Sequence, residues 1–383
     1  MSKFIKLFFL SFVLMAFVFG CGGKKEEATI LNIGSMSPLT GPYAADGNDI
    51  ANGVRAAIAV IKEEGGIPGF SDIVLHSGDT ACDPRQAVAA ANKLINEEVV
   101  GVIGAYCSSS TIPSSEVLDE KNIIMITPAS TNEKVTERGL KYMFRMCGRD
   151  DDQSKSAGKF LSYIKAKTIF IVDDKTTYSQ GLAENVVKEC EKRGITVLKH
   201  DHVNQGDKDF SAVLAKVKAL KPDAFYISLQ NSASGSVMAI QTKRMGIRSA
   251  ILSQDAVYHP NFIEVAKEAA EGVYLTYGFQ DKESATYQKF INKFEAVTDS
   301  DKQPGGYATY AYDAGIVLLR AIKNAGSTDP VKIKEEIMKS DFDGASKHVR
   351  FMENGDSGSN YIIFKIENGD FINYWNPETG SLF

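Results

Sequence analysis

Two short loops gather hydroxyl side chains where strands should hand over to helices. The first, Gly104-Ala105-Tyr106-Cys107-Ser108-Ser109-Ser110-Thr111, follows the apolar run Val99–Ile103 and precedes a helix expected from Ile112. The second, Thr127-Pro128-Ala129-Ser130-Thr131, repeats the device after Ile123–Ile126. Hydroxyls and backbone N–H groups at the positive end of a helix dipole suit a carboxylate. Simple N-capping would need only one of the four hydroxyl residues in the first loop. Asp255 follows a further strand-like run, Ala250–Ser253, and could face an ammonium group across a cleft; a capping or solvated aspartate is its plainer reading.

The sequence spells no catalytic constellation. The five histidines, His76, His200, His202, His259 and His348, form no recognised catalytic spacing. His200-Asp201-His202 would put both imidazoles on one strand face, but no third ligand lies nearby in sequence, so no metal site is expected. Gly355-Asp356-Ser357-Gly358 spells the surroundings of a serine-protease nucleophile, yet nothing upstream resembles that fold's histidine segment. The tetrapeptide sits in a polar, Gly-rich linker, and a turn is expected. There is no GxxxxGK[ST] phosphate loop and no full GxGxxG. Neither an enzyme nor a cofactor is expected.

The elements that must position the loops alternate throughout. Strand runs at Ile30–Gly34, Ile73–Leu75, Val99–Ile103 and Ile123–Ile126 are interleaved with helices at Asp49–Glu64 and from the Asp83-Pro84 start to Asn96. A second series opens near Arg149 and runs through strands at Thr168–Val172, Ile195–His202, Ala224–Ser228, Ala250–Ser253 and Gly272–Tyr277, with helices between them. Helices dominate from Ser284 to Lys339, and a hairpin turning at Asn368-Gly369 closes the chain. Short apolar strands buried on both faces imply an α/β protein with two doubly wound parallel-sheet lobes. Ligands of such sheets bind beyond the carboxyl ends of the strands, where the hydroxyl loops lie.

The first residues set the compartment. Lys3 and Lys6 precede an apolar run, Leu7–Gly20, too short to span a bilayer comfortably and shaped like a secretory signal. The run ends Val18-Phe19-Gly20-Cys21, which resembles a bacterial lipobox and implies a lipidated Cys21 at the start of the mature chain. Residues 1–20 are then signal peptide and 21–28 a polar tether. Losing Lys3 and Lys6 leaves 41 basic against 48 acidic residues, a net of −7 that argues against nucleic acid as a partner. The remaining roughly 360 residues exceed what one core usually serves. Besides Cys21 there are Cys82, Cys107, Cys147 and Cys190, none at CxxC spacing. Four cysteines in an exported chain allow three pairings, and spacing does not choose among them.

Longer stretches carry a resemblance. Asp79-Thr80-Ala81-Cys82-Asp83-Pro84-Arg85-Gln86-Ala87-Val88, then Cys107–Thr111, then Met125–Thr131 resemble the leucine/isoleucine/valine-binding proteins of branched-chain amino-acid ABC importers. Met36–Gly41, Asp174-Lys175 with Tyr178, and Gly206–Phe210 are similar to that family as well, and the likeness runs from about Thr29 to the C-terminus. The resemblance implies a type I periplasmic binding fold whose chain crosses between lobes near Arg149, Phe279 and Gly355. The N-terminal lobe would then comprise 29–148 plus 280–355, and the C-terminal lobe 149–279 plus 356–383. It implies a Cys82–Cys107 disulfide. It also implies that Ser108, Ala129 and Thr131, with Ser130 beside them, hold an α-carboxylate and α-ammonium, that Asp255 pairs with the ammonium, and that Tyr178 and Tyr307 are pocket aromatics. Gln230 and Asp46 stand where the family carries tyrosines, so the side-chain compartment should be more polar. The expected molecule is a monomeric, extracytoplasmic lipoprotein that closes about a hinge on an α-amino acid, branched-chain first. Its partners would be the ligand, an importer's permease and ATPase complex, and the membrane through its anchor. The alternatives are another small solute (a polar amino acid, an amide or an aromatic acid) and a ligand-presenting sensor.

Overall fold

The computed structural model describes residues 29–383; the expected signal segment, Cys21 and the tether lie outside the described residues. Five parallel strands form the first sheet: β1 (Thr29–Ser37), β2 (Phe70–Asp79), β3 (Gly101–Gly104), β4 (Ile124–Thr127) and β5 (Met143–Arg145), in the order β2-β1-β3-β4-β5. Successive residues along these strands feed opposite cores, as a period of two requires. Ile33, Ile103, Ile124 and Ile126 pack toward the helices Ala44–Glu63 and Tyr307–Ala325. Met36, Val102 and Met125 pack toward Pro84–Asn96 and Ser108–Glu120.

The second sheet is built from β6 (Thr168–Asp173), β7 (Thr196–His202), β8 (Ala224–Ser228), β9 (Ala250–Ser253) and β10 (Tyr274–Gly278). A two-stranded ribbon, β11 (Asp341–Asp343) with β12 (His348–Arg350), stands apart. Strands β13 (Tyr361–Glu367), β14 (Asp370–Asn376) and β15 (Ser381–Leu382) then extend the second sheet in the order β15-β14-β13-β10-β9-β8-β6-β7. Its parallel strands are likewise buried on both sides: Ile169 and Ile171 face Phe160, Leu182 and Val186, while Phe170 and Val172 face Phe210, Leu214 and Met238. This is the two-lobed α/β fold expected from the alternation of elements. Among the described residues no helix is long and apolar enough to cross a membrane.

Two small residues set how closely the first lobe's principal helices approach. A Cβ on Gly53 would lie 2.4 Å from the Ala308 carbonyl oxygen, and one on Gly315 would lie 2.7 Å from Ala57 Cβ. Helix Tyr307–Ala325, from late in the chain, is thereby seated directly on Ala44–Glu63.

Cys82 and Cys107 are disulfide-bonded, with Cα atoms 5.5 Å apart, and Cys147 and Cys190 are free and buried. Burial pushes the Cys190 thiol up to about 12 and the Cys147 thiol higher still, so neither is a nucleophile. The disulfide closes a loop of 25 residues and fixes the segment before Pro84 against the start of the helix at Ser108. Replacing both cysteines by serine should lower unfolding stability by about 3–4 kcal/mol on the chain-entropy account. A urea titration of that variant checks this, with reduced wild-type protein expected to match it.

Candidate functional site

The two hydroxyl loops are laced to each other at the carboxyl ends of β3 and β4. Thr127 Oγ1 donates to the Ala105 carbonyl at 2.8 Å and accepts from the backbone N–H of Ser130 at 3.1 Å. Ser130 Oγ lies 2.6 Å from Thr111 Oγ1 and donates to the Tyr106 carbonyl at 3.0 Å. The Ser130 hydroxyl is therefore occupied within the loops. The following helix starts at Ser108, earlier than Ile112, because the extended, disulfide-bonded Cys107 supplies the N-cap position. Ser108 Oγ accepts from the backbone N–H of Asn132 at 3.4 Å, joining the loops again. Thr131 is fully buried, and its Oγ1 has no hydrogen-bond partner.

The other lobe presents acids and aromatics. Tyr178, in the first turn of the helix Thr177–Lys192, donates to Asp255 Oδ1 at 2.5 Å and lies 2.6 Å from Gln254 Oε1. Burial raises the Asp255 carboxyl, with the bonds from Tyr178 and its neighbours acting against that shift. Asp174 Oδ2 accepts the Gln230 backbone N–H at 2.8 Å, which fixes the loop after β8. Gln230 is buried, and its carbonyl accepts from Tyr106 Oη at 3.3 Å across the interlobe boundary. Asn132 Nδ2 donates to the Thr177 carbonyl at 3.3 Å, and Gln205 bonds Tyr43, so the lobes meet as a closed pair.

Asp150 belongs to this cluster and was not singled out by its sequence. It opens the helix Asp150–Tyr163, and its backbone N–H donates to the Thr131 carbonyl at 3.0 Å. Its carboxylate is wholly buried, and neither oxygen has a hydrogen-bond partner. Burial, then the charge of Glu133, drives this carboxyl well above its ordinary value; nearby Thr131 lowers it without completing a hydrogen bond of good geometry. Gln153 Oε1, one turn along, is also buried and unpartnered. Arg149-Asp150-Asp151-Asp152 reads as an ordinary acidic helix start, and only burial separates Asp150 from its two neighbours.

Tyr307 begins the helix Tyr307–Ala325, and its ring meets that of Tyr106 edge-on at 5.7 Å. Asp46 lies in the first turn of Ala44–Glu63, near Tyr106 and His259. Burial pushes its carboxyl up to about 6, and the His259 charge works against that. A folded-state value above the ordinary 3.8 means the folded chain holds a proton that the unfolded chain releases, so stability falls as pH rises from 3.8 to about 6. Asp46→Asn removes this loss and should raise stability at pH 7.5 by about 1–3 kcal/mol. Thermal unfolding of both proteins at pH 4 and pH 7.5 checks it; the two curves should converge at the lower pH.

Buried acids and two hydroxyl-bearing loops thus meet where the two doubly wound lobes come together. The chain belongs to the periplasmic binding protein family, whose model matches residues 31–370, and it is a binding protein rather than an enzyme. It is 34% identical over 370 residues to an amino acid binding protein of Pseudomonas aeruginosa, covering 95% of this chain and 97% of that one. It is 33% identical over 371 residues to a leucine-, isoleucine-, valine-, threonine- and alanine-binding protein of the same species, covering 96% and 95%. A leucine binding protein from Thermotoga maritima superposes with a TM-score of 0.83 at 31% identity, covering 91% of this chain and 99% of that one.

Proposed function

We propose that this protein is the extracytoplasmic solute-binding component of an ABC importer and closes its two lobes on an α-amino acid, with a branched-chain side chain as first choice. The observation that carries the reading is the pair of buried acids, Asp255 and Asp150, beside the unpartnered Thr131 hydroxyl. Two carboxylates in a dry cleft repel each other, and a ligand ammonium between them would remove that cost. Ser108, Ala129 and Thr131 take the α-carboxylate end, helped by the helix that starts at Ser108. Tyr178 and Tyr307 orient Asp255 and wall the cleft, Gln230 and Asp46 line the side-chain compartment, and Ser130 builds the loops. The names of the Pseudomonas and Thermotoga relatives support an amino-acid ligand.

The lobes comprise 29–148 plus 280–355 and 149–279 plus 356–383, with Cys21 as the lipid attachment point and a monomer as the working unit. The test is a thermal-shift screen of the twenty amino acids. Ligand at 100 times its dissociation constant adds about 2.7 kcal/mol, and leucine, isoleucine or valine should give the largest shift. No shift with any amino acid would overturn the ligand assignment. The buried, polar Asp46 and Gln230 favour a second reading, a polar amino acid, and a larger shift with serine, threonine or glutamine than with leucine would select it. Uptake measured in cells lacking the protein tests the importer partnership against a sensor role.

A further inference from the structure

We propose that Asp173, His200 and His202 form a binding site for a borderline divalent transition-metal cation, with Zn2+ as the fitting ion. The two imidazoles project from one face of β7, the edge strand of the second sheet, and Asp173 ends the neighbouring β6 in register with His202. The third ligand that the histidine spacing lacks thus comes from a residue 27 positions earlier than His200, brought in by strand pairing. Asp173 Oδ2 lies 2.6 Å from His200 Nε2 and 2.8 Å from His202 Nδ1. The three ligating atoms lie within 4.8 Å of one another.

Two imidazole nitrogens and one carboxylate oxygen are a common donor set for zinc, leaving a fourth position for water, and nitrogen donors disfavour calcium and magnesium. Zinc–ligand bonds of about 2.0–2.2 Å require the two nitrogen–oxygen separations to open to roughly 3.3 Å. The exposed edge of the site permits that: the His200 and His202 side chains are 20% and 41% exposed, whereas Asp173 is fully buried and fixed. The carboxylate is oriented from behind, where Asp173 Oδ1 accepts the Lys175 backbone N–H at 2.8 Å. Asp201, between the histidines, alternates to the other face and pairs with Lys216 at 2.6 Å, so it does not compete for the ion. Two imidazoles drawn to one carboxylate oxygen is the arrangement that a cation placed among them would relax into three separate bonds.

The site lies where two loops leave the sheet. The Val203 N–H donates to the Asp173 carbonyl at 2.9 Å, and Lys175 Nζ donates to Asn204 Oδ1 at 3.0 Å. Gln205, the next residue, reaches Tyr43 on the opposite lobe. A bound cation would tie β6 to the edge strand and steady the segment that makes this interlobe contact. None of this depends on which solute the cleft takes.

The experiment uses untagged protein stripped with a chelator and titrated with ZnCl2 in a calorimeter at pH 7.5, with Co2+ as a spectroscopic probe. Wild-type protein should bind one equivalent of zinc and show visible cobalt absorption of tetrahedral intensity. The variant H200Q/H202Q should lose at least tenfold in zinc affinity and lose the cobalt spectrum, while still melting in one cooperative transition in chelator. The one-sided variant H202Q should fall between the two. His348, which contacts Asp341 and Asp343 at 3.0 and 2.7 Å, is the other histidine with two acids. H348Q should bind zinc as wild type does. No zinc uptake, unaltered affinity in H200Q/H202Q, or loss of binding in H348Q each overturns the proposal.

Discussion

Asp255→Asn should weaken binding of the amino acid selected by the thermal-shift screen by about 2–5 kcal/mol, roughly 30- to 5,000-fold in dissociation constant. The same variant should melt at a higher temperature than wild type without ligand. The two effects have opposite signs for one reason. Asp255 is 2% exposed, and burial holds its carboxyl above the ordinary value, so at neutral pH an ionised group there costs stability. Asparagine removes the charge and can still accept from Tyr178 Oη. What it cannot do is pair with an ammonium. A merely structural aspartate would lose stability on this substitution and leave affinity alone. Calorimetric titration and a thermal melt of the same sample read both quantities, and an unchanged dissociation constant would remove Asp255 from the site. Asp150→Asn should move both readouts in the same directions, since its carboxylate is buried with no partner.

Arg145→Met should cost about 3–5 kcal/mol of unfolding stability, the range for breaking a buried ion pair from one side. Arg145 is wholly buried. Its Nε donates to Asp356 Oδ1 at 2.7 Å, and its Nη1 donates to the carbonyls of Thr131 and Asn132 at 2.9 and 2.8 Å. Asp356 is held besides by Arg149 at 2.9 Å and by Thr136 Oγ1 at 3.0 Å. One guanidinium thus grips both the second hydroxyl loop and the late segment around Asp356. Methionine fills the volume but strips Asp356 of its fully buried cation, leaving it only Arg149 and its neutral donors, and orphans the loop carbonyls. Arg145→Met with Asp356→Leu should recover part of the loss, because no buried charge is then left without its partner. Urea unfolding of the two single variants and the double variant measures the coupling; strictly additive losses would show that the pair does not act as a unit.

Strand positions were legible because short apolar runs such as Val102–Ile103 and Ile124–Ile126 must be buried on both faces, and the structure buries them so. Asp83-Pro84 was legible for a local reason too: the Asp83 carboxylate accepts from the backbone N–H groups of Arg85 and Gln86. The hydroxyl loops were visible as chemistry. Which of their hydroxyls would be free was not, because Ser130 and Thr131 are neighbours of the same type and only three-dimensional packing decides that one bonds its own loops. Asp150 was hidden for a related reason. An acid at a helix N-terminus is the usual surface arrangement, and nothing local marks the one acid of three that the other lobe covers. The Cys82–Cys107 pairing came from family resemblance; the spacing of four cysteines left it open.

Helix Tyr307–Ala325 seats on the early helix Ala44–Glu63, and β13 lies between β10 and β14 in the second sheet. The first lobe's core waits for the helix Tyr307–Ala325, and the second sheet waits for Tyr361–Glu367. Contacts so distant in sequence close slowly, because the loop entropy must be spent before they reward it. A nascent chain of this design stays open through most of its synthesis. That suits a polypeptide that is handed to a translocation channel first and folds only on the far side.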